Sequence, residues 1–372
     1  MKKKLKEICT LEKGKQIDTK LLNDSHSYRY INGGIKESGF YNEYNTEGET
    51  VLISEGGASC GYVNYVNEQF WCGCHCYRLT DINAYPKFLF YSLKASQNGI
   101  MELRTGAAMP NIKKESLKNF EVSIIEDKEE QIKIAAELDT IQSAIDNKKQ
   151  QLALLDEAVK SEFVEMFGEN PVENGKWKVE KLGDCLYGIE NGKSFVCSAE
   201  SRKDGFPAIL KLSSVTYGEF IPEENKALLN NDMFVADAEV HKGDLLFTRK
   251  NTPELVGMSA YVFTDEKKLM MPDLIFRLNT RDCLNKIFLW KLINHTIFRG
   301  KIRNLASGAA ESMSNISKVR LQTLPIPVPP LDLQNQFASF VQQIDKSKSL
   351  VKQQIADLQE LLDSKMQEYF GE

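Results

Sequence analysis

Two long amphipathic stretches without proline constrain this chain more than any other feature. The first, residues 126–169, repeats apolar side chains in steps of mostly three and four, a pattern typical of a coiled-coil helix. Its core positions are Ile134, Leu138, Ile141, Ile145, Leu152, Leu155, Val159, Phe163 and Met166. Gly168 follows them, where such a helix commonly ends. A helix of roughly 50 Å at about 1.5 Å per residue cannot bury this stripe against one small domain. It needs a second helix.

The second stretch, residues 331–372, supplies that helix at the other end of the chain. Lys348 interrupts its apolar stripe once, as Lys148 interrupts the first. Its apolar positions are Val341, Ile344, Val351, Ile355, Leu358, Leu362, Met366 and Tyr369. The two stretches are therefore expected to pack against each other along their stripes.

The two stretches end alike, and the similarity extends upstream. Tyr369-Phe370-Gly371-Glu372 repeats Met166-Phe167-Gly168-Glu169, at an offset of 203 residues. Asn315-Ile316 repeats Asn111-Ile112, and Gly308-Ala309-Ala310 repeats Gly106-Ala107-Ala108, at nearly the same offset. A constant offset across several short motifs indicates a tandem duplication.

Each helix follows a globular segment, so we divide the chain into domains 1–125 and 175–330 and helices 126–169 and 331–372. Both domains alternate short apolar strands with turn residues and contain one short helix, which predicts an α+β fold. In the first domain, residues 61–66 and 70–79 are expected to form a hairpin-like pair. Strand 208–212 before Ser213-Ser214 matches strand 28–32 before Gly33-Gly34.

Charge and cysteine usage set the cellular context. The formal net charge is −5, but the segment 126–168 carries 11 acidic residues against 5 lysines and the segment 331–372 carries 7 against 4. The remaining domains are therefore mildly basic, at +4, which permits DNA binding. Eight cysteines without framework spacing fit a reducing compartment. The chain lacks a signal-peptide pattern and an apolar run of membrane-spanning length, so we expect a cytoplasmic protein with no membrane contact.

Over its whole length the chain resembles the specificity subunit of type I restriction-modification systems. The resemblance rests first on the tandem arrangement. It also rests on the stretches 32–40, 53–59 and 70–77, and on the proline-rich stretch 308–331, which leads into a Gln-rich helix. It implies two duplicated target-recognition domains separated by two long antiparallel coiled-coil helices, related by a pseudo-two-fold axis. It also implies a non-catalytic subunit that binds double-stranded DNA.

The resemblance further implies partners. These are methyltransferase subunits, two of them expected, and restriction or translocase subunits. The chain itself is expected to bind no cofactor, whereas the partner methyltransferase would use S-adenosylmethionine. Two modules held apart by stiff helices could recognise two short sequences at a fixed gap, and a pseudo-dyad would match that of duplex DNA. The acidic helix faces could dock these subunits or simply be solvated.

Candidate DNA contacts lie in loops after predicted strands, where small residues let the backbone approach phosphate and polar side chains reach base edges. An ordinary hairpin turn is the alternative at each position. Arg299, Lys301 and Arg303 form a basic stripe suited to phosphates more than to bases, and a solvated helix face is the equal alternative there. The candidate residues are Lys15, Asn32, Gly33, Gly34, Gly56, Gly57, Ser59, Lys193, Ser194, Ser213, Ser214, Arg249, Lys250, Asn251, Thr252 and Arg303.

Two other functional classes stay open. One is an enzyme that uses the cluster Cys72-Gly73-Cys74-His75-Cys76 as a metal site, but in a strand the three cysteines would face one side and His75 the other. His75 could contact a base or be a core histidine with its hydrogen bonds satisfied, and the second interpretation is favoured. No methyltransferase or nucleotide-binding motif is present, so intrinsic catalysis has no support. A coiled-coil scaffold whose two domains bind proteins is the alternative to the DNA-binding hypothesis.

Overall fold

A computed structural model of the chain describes residues 1–106, 109–203, 205–307 and 313–371. Ala107 and Ala108, and the whole of the matching Gly308-Ala309-Ala310 segment, lie outside the described residues. The chain forms two compact units. Unit 1 comprises Met1–Gln151 and Val351–Glu372, and unit 2 comprises Leu152–Leu350.

Unit 1 is built on a four-stranded antiparallel sheet of order β2-β8-β5-β6, a three-stranded sheet of order β4-β3-β7 and the pair β1-β9. Its strands are β1 Lys2–Lys4, β2 Thr10–Lys13, β3 Tyr28–Ile31, β4 Gly39–Tyr41, β5 Thr50–Ser54, β6 Val63–Val66, β7 Phe70–Cys72, β8 Cys76–Thr80 and β9 Glu121–Ser123. Its short helices are α1 Leu5–Ile8, α2 Pro86–Ala95, α3 Gln97–Glu102 and α4 Lys114–Lys118.

The side-chain alternation of β5 explains the two layers of unit 1. Val51 and Ile53 point into the main core with α2, whereas Leu52 points into a small second core with Ile31 and Phe70. Since successive strand residues face opposite sides, a strand that is apolar at three consecutive positions must be covered on both faces. The central strand β5 is covered in this way.

Unit 2 repeats this plan strand for strand. Its sheets have the orders β11-β18-β14-β16, β13-β12-β17 and β10-β20, with an added small pair β15-β19. The strands are β10 Lys178–Lys181, β11 Leu186–Asn191, β12 Ala208–Leu210, β13 Asn225–Ala227, β14 Leu245–Thr248, β15 Lys250–Asn251, β16 Ser259–Tyr261, β17 Leu269–Met270, β18 Ile275–Thr280, β19 Ser314–Asn315 and β20 Pro325–Val328. The short helices are α6 Ser213–Thr216, α7 Lys286–Asn294, α8 Thr296–Arg303 and α9 Lys318–Gln322.

Single hydrogen bonds confirm the duplication inferred from sequence. Ile112 N donates to Glu55 O at 2.8 Å, and Ile316 N donates to Arg249 O at the same distance. These bonds place the Asn111-Ile112 and Asn315-Ile316 repeats at equivalent points of the two units. The predicted α+β fold with two duplicated domains is confirmed.

The two long stretches are continuous helices of 40 residues each, α5 Lys128–Phe167 and α10 Leu331–Phe370. Gly168 follows α5 with φ of 91°, a conformation that glycine adopts at helix ends without strain. The helices run antiparallel within each unit. In unit 2, Phe163 contacts Phe337 while Asp156, nearer the start of α5, pairs with Lys348, further along α10.

The apolar faces of both helices belong to the cores of the units. In unit 1, Ile134, Leu138 and Phe370 lie in the main core. The ring of Phe370 packs on the ring of Phe88 of α2, with 5.2 Å between the ring centroids. In unit 2, the Phe167 ring contacts Phe288 of α7 at 4.7 Å. Burying a side chain of this size stabilises a fold by about 1.5–3 kcal/mol.

Lys348, which interrupts the stripe of α10, is buried in unit 2 and bonded. Its ammonium donates to Asp156 at 2.7 Å and also to Glu219 of the globular part. Burial alone would lower the pKa of Lys348, but these two hydrogen bonds outweigh the desolvation and raise it. An ion pair of this kind fixes geometry more than it adds stability.

Two local predictions in unit 1 are wrong. Residues 61–66 and 70–79 do not pair: β6 pairs with β5, and a turn at Gly73–His75 divides the second segment into β7 and β8 of different sheets. A Cβ at Gly73 would lie 2.3 Å from Asn32 Oδ1, so a larger residue at this turn would displace the Asn32 side chain. Cys72, Cys74 and Cys76 therefore do not share one strand face. Within the described ranges, no three His, Cys, Asp or Glu side chains are grouped as metal ligands would be.

None of the helices in the described part of the chain combines the length and the apolar character that a membrane crossing demands.

The close approach at Gly192 gives a test of the fold. A Cβ at this position would lie 2.1 Å from Pro272 O, so Gly192→Ala must displace backbone. We expect it to lower the free energy of unfolding by about 1–3 kcal/mol, the usual cost of overpacking. Gly188→Ala is the matched control, because nothing lies within 4 Å of its added methyl group. Equal denaturation midpoints for the two variants would contradict the close approach.

Candidate nucleic-acid interface

Three loops of unit 1 meet at one edge of its sheets. The loop after β2 approaches the turn after β7 so closely that a Cβ on Gly14 would lie 2.1 Å from Cys72 O. Lys15 N donates to Cys72 O at 2.9 Å, and Trp71 Nε1 donates to Lys15 O at 2.8 Å. These bonds hold the Lys15 backbone in place and leave its side chain exposed.

Asn32, at the end of β3, connects the loops of this edge. Its Oδ1 accepts from His75 N at 3.1 Å, and its Nδ2 donates to Gln16 Oε1 at 3.2 Å. Cys74 Sγ donates to the same Gln16 oxygen at 3.1 Å. We call residues 14–16, 32–34 and 73–75 the edge of unit 1. Its side chains are predominantly neutral hydrogen-bonding groups with one cation, Lys15.

The Gly56–Ser59 turn adjoins this edge through Glu55. Glu55 N donates to His75 O at 2.8 Å, while the buried Glu55 carboxylate bonds Lys13 at 2.5 Å and accepts from Tyr77 OH at 2.9 Å. Burial first, and the hydrogen bond to Glu55 second, raise the pKa of Tyr77. The anchored carboxylate leaves Gly57 exposed beyond it with φ of 77°.

Unit 2 forms the same edge from the equivalent loops. Lys193 N donates to Met271 O at 3.1 Å, as Lys15 N does to Cys72 O. Arg249 N donates to Leu274 O at 2.9 Å, as Glu55 N does to His75 O. We call residues 192–194, 211–212 and 272–274 the edge of unit 2. Lys15 and Lys193 therefore occupy matched positions, both exposed.

The predicted contact residues differ in how much of each is accessible. Lys15, Gly57, Lys193, Ser194, Thr252 and Arg303 are exposed. Asn32, Gly34, Gly56, Ser59, Ser213, Arg249 and Lys250 are half-buried, and Gly33 is buried with its N–H donating to Cys76 Sγ at 3.0 Å. The loops therefore come together, but only part of the predicted set presents a side chain at the surface.

Ser213 and Ser214 do not form the predicted loop, because residues 213–216 are the helix α6. Ser214 is buried and its hydroxyl donates to Lys211 O at 2.6 Å. Ser213 donates to the Glu224 carboxylate at 2.6 Å, and this bond lowers the pKa of Glu224. Both hydroxyls serve the fold.

Asn251 and the residues of α8 also depart from expectation. Asn251 is buried, and its Nδ2 donates to Thr216 Oγ1 at 3.0 Å. Arg299 is buried and donates to Val256 O at 2.7 Å, and burial lowers its pKa to about 10. Lys301 pairs with Glu173. Of the predicted basic stripe only Arg303 is exposed.

Arg249 is neither fully buried nor fully exposed. Its guanidinium donates to Asn315 Oδ1 at 3.2 Å and lies over the Phe276 ring at 5.3 Å from the ring centre. These contacts orient the side chain while leaving it half-buried. Lys250 beside it pairs in β15 with Asn315 of β19 through its backbone, and its side chain is half-buried.

Sequence reasoning missed several residues of the edges. Gln16 in unit 1 follows Lys15 directly, and in unit 2 Lys211, Lys226 and Asp273 line a groove of about 390 Å³ next to Ser194. An alignment of the two copies loop by loop could have found Lys211 and Asp273, since they match Asn32 and Cys74. The periodicity of apolar residues could not have found them, because loops have no such periodicity.

Comparison with known proteins gives one family. The model for the type I restriction modification DNA specificity domain matches residues 1–157 and 174–360. The chain is 30% identical over 198 residues to a putative type I specificity subunit of Mycoplasma genitalium, covering 52% of this chain and 51% of the relative. It is also 30% identical over 186 residues to the EcoEI type I restriction enzyme specificity subunit of Escherichia coli, covering 50% and 31%. The chain spans about half of the length, or less, of these curated relatives.

Solved structures share the fold. A crystal structure of the type I restriction-modification S subunit from M. genitalium superposes with a TM-score of 0.69 at 20% identity, covering 100% of this chain and 96% of that one. A chain from a structural study of complex assembly and conformational transition in a type I restriction-modification system gives 0.52 at 13% identity, covering 99% and 97%.

Proposed function

Because this chain belongs to the type I restriction-modification DNA specificity family, we propose that it is the DNA-sequence-recognition subunit of a type I restriction-modification complex. The observation that carries the proposal is the duplicated edge. Two units of one architecture present equivalent loops with matched lysines, Lys15 and Lys193, and different neighbouring side chains. That arrangement suits two half-sites of different sequence.

The edges offer the two kinds of contact that DNA recognition needs. Exposed lysines and close backbone turns suit phosphates, which position a protein without reading sequence. Side chains such as Asn32 and Arg249 are held by hydrogen bonds within the fold, so their free donors and acceptors point in defined directions. Fixed donors and acceptors are what discriminate base edges in the major groove.

The long helices are proposed to set the gap between the half-sites. Each is unbroken over 40 residues and takes part in both units. Neither helix contains proline, the commonest cause of a sharp kink, so each is a suitable spacer. The target would be bipartite and asymmetric, with one half read by each unit.

The proposal extends to partners. Two methyltransferase subunits and restriction or translocase subunits would carry the chemistry, and the methyltransferase would use S-adenosylmethionine. This chain would supply no catalytic group and would act on DNA in the cytoplasm. A protein-binding scaffold would instead be indifferent to DNA sequence.

Lys193 provides a test of the phosphate contact. Lys193→Ala in the assembled complex should weaken binding to any duplex and reduce the slope of log K against log salt by about 1, because one counterion fewer is released. Lys181→Ala is the matched control, since Lys181 is also exposed and precedes β11 while Lys193 follows it. Fluorescence anisotropy over a salt series measures both. An unchanged slope for Lys193→Ala would contradict the phosphate contact.

Exchange of a unit tests the bipartite site. Replacing residues 175–330 by the corresponding domain of another specificity subunit should change one half of the methylated motif and keep the other half and the gap. Long-read sequencing of methylated genomic DNA gives the motif directly. A change in both halves, or in neither, would overturn the assignment of one half to each unit.

A further inference from the structure

The groove of unit 2 carries a charge pattern that the edge of unit 1 lacks. It is lined by Ser194, Phe195, Lys211, Lys226, Pro272 and Asp273, with a volume of about 390 Å³. It opens at the edge proposed above to face DNA. Its floor is apolar, and its charged groups are two lysines and one aspartate.

Main-chain bonds fix which residues of the two units correspond. Cys72 O accepts from Lys15 N, and Met271 O accepts from Lys193 N, so Cys72 matches Met271. Counting along the chain, Cys74 then matches Asp273. The parallel pairing of β3 with β7 and of β12 with β17 then matches Asn32 to Lys211 and Tyr30 to Ile209. Gly39 pairs with Tyr30 and Lys226 pairs with Ile209, so Gly39 matches Lys226. Three neutral positions of unit 1 are thus charged in unit 2.

Two of these charges are not used by the fold. The Asp273 carboxylate and the Lys226 ammonium have no hydrogen-bond or ion-pair partner among residues 1–106, 109–203, 205–307 and 313–371, whereas Lys211 lies 3.6 Å from the Glu224 carboxylate. Asp273 is half-buried in the groove, and Lys226 is exposed. A carboxylate and an ammonium that line one groove offer an acceptor and a donor to the same ligand.

A carboxylate at a DNA-facing edge is repelled by every phosphate. It favours binding only where a donor on the DNA faces it, and so it penalises sequences that lack that donor. In the major groove cytosine presents the N4 amino donor, and its guanine partner presents O6 and N7 acceptors beside it. A groove lined by one carboxylate and one ammonium that is unpaired within the described residues can therefore be complementary to a G·C pair.

We propose that this groove reads one G·C pair in the half-site recognised by unit 2. Asp273 accepts a hydrogen bond from cytosine N4, and Lys226 donates to guanine O6 or N7. This inference rests on the proposed DNA-recognition function and adds the base pair and the residues that read it. The edge of unit 1, with Cys74 and Gly39 at these positions, makes no such contact.

The test is the methylated motif of cells that carry the whole complex with Asp273→Asn in this subunit. Wild-type cells should show an invariant G·C pair in the half-site of unit 2. Asp273→Asn should reduce discrimination at that pair by about 5- to 150-fold, because an amide no longer selects the cytosine amino group and pairs well with adenine. The half-site of unit 1 should stay unchanged. Asp282→Asn, at an exposed aspartate outside the groove, is the matched control and should leave the whole motif unchanged.

The outcomes separate this inference from the function on which it rests. If deleting the gene leaves all methylation in place, the proposed function fails. If deletion removes the motif but Asp273→Asn leaves every position unchanged, the groove assignment is wrong and the function stands. Loss of all methylation by a variant that folds and assembles normally also counts against the assignment, because one base contact should not abolish binding.

Discussion

The burial of the long helices inside the cores of the recognition units is the constraint on which the rest of the structure depends. In unit 1, α2 packs through Phe88 on Phe370, the last residue of α10. In unit 2, α7 packs through Phe288 on Phe167, the last residue of α5. Neither unit closes its core with its globular residues alone, because helix side chains fill the space under the sheet. The helices are thus part of each unit and not linkers attached to it.

The edges differ in their side chains, whereas the strand orders and several main-chain hydrogen bonds beneath them recur in both units. The close backbone approach at Gly14 recurs at Gly192. The main-chain hydrogen bond from Lys15 N recurs at Lys193 N, and the one from Glu55 N recurs at Arg249 N. These main-chain contacts are therefore kept while Asn32 and Cys74 are replaced by Lys211 and Asp273. A duplicated domain can change its target in this way without changing its fold, since the altered side chains contribute little to the core.

The sequence predicted what depends on periodicity and repetition. The helices, the duplication and the α+β class follow from patterns that span tens of residues, and burial of an apolar stripe decides them. The exposure of single loop residues could not be predicted in this way, since accessibility depends on tertiary partners. Asn251 is polar and follows the strand β14, yet its side chain is buried and its amide donates to Thr216 Oγ1.

The prediction that the segment 70–79 forms one strand paired with 61–66 was wrong for a different reason. The segment reads as one strand by composition, but the chain turns at Gly73–His75, where His75 N donates to Asn32 Oδ1, and its two halves join different sheets. A contact between residues about 40 positions apart leaves no trace in local pattern. The same holds for Arg299, whose basic character suggested a phosphate contact while its guanidinium in fact bonds main-chain carbonyls inside unit 2. Asp273 was overlooked because nothing in its neighbourhood along the chain marks a groove.

The most direct test of the central claim is a methylome comparison of the host with the gene, without it, and with it restored. Methylation at one split motif, with two dissimilar halves at a constant gap, is expected to disappear on deletion and to return on re-expression. Methylation that is unaffected by deletion, while the methyltransferase subunit is present and co-purifies with this chain, would contradict that claim.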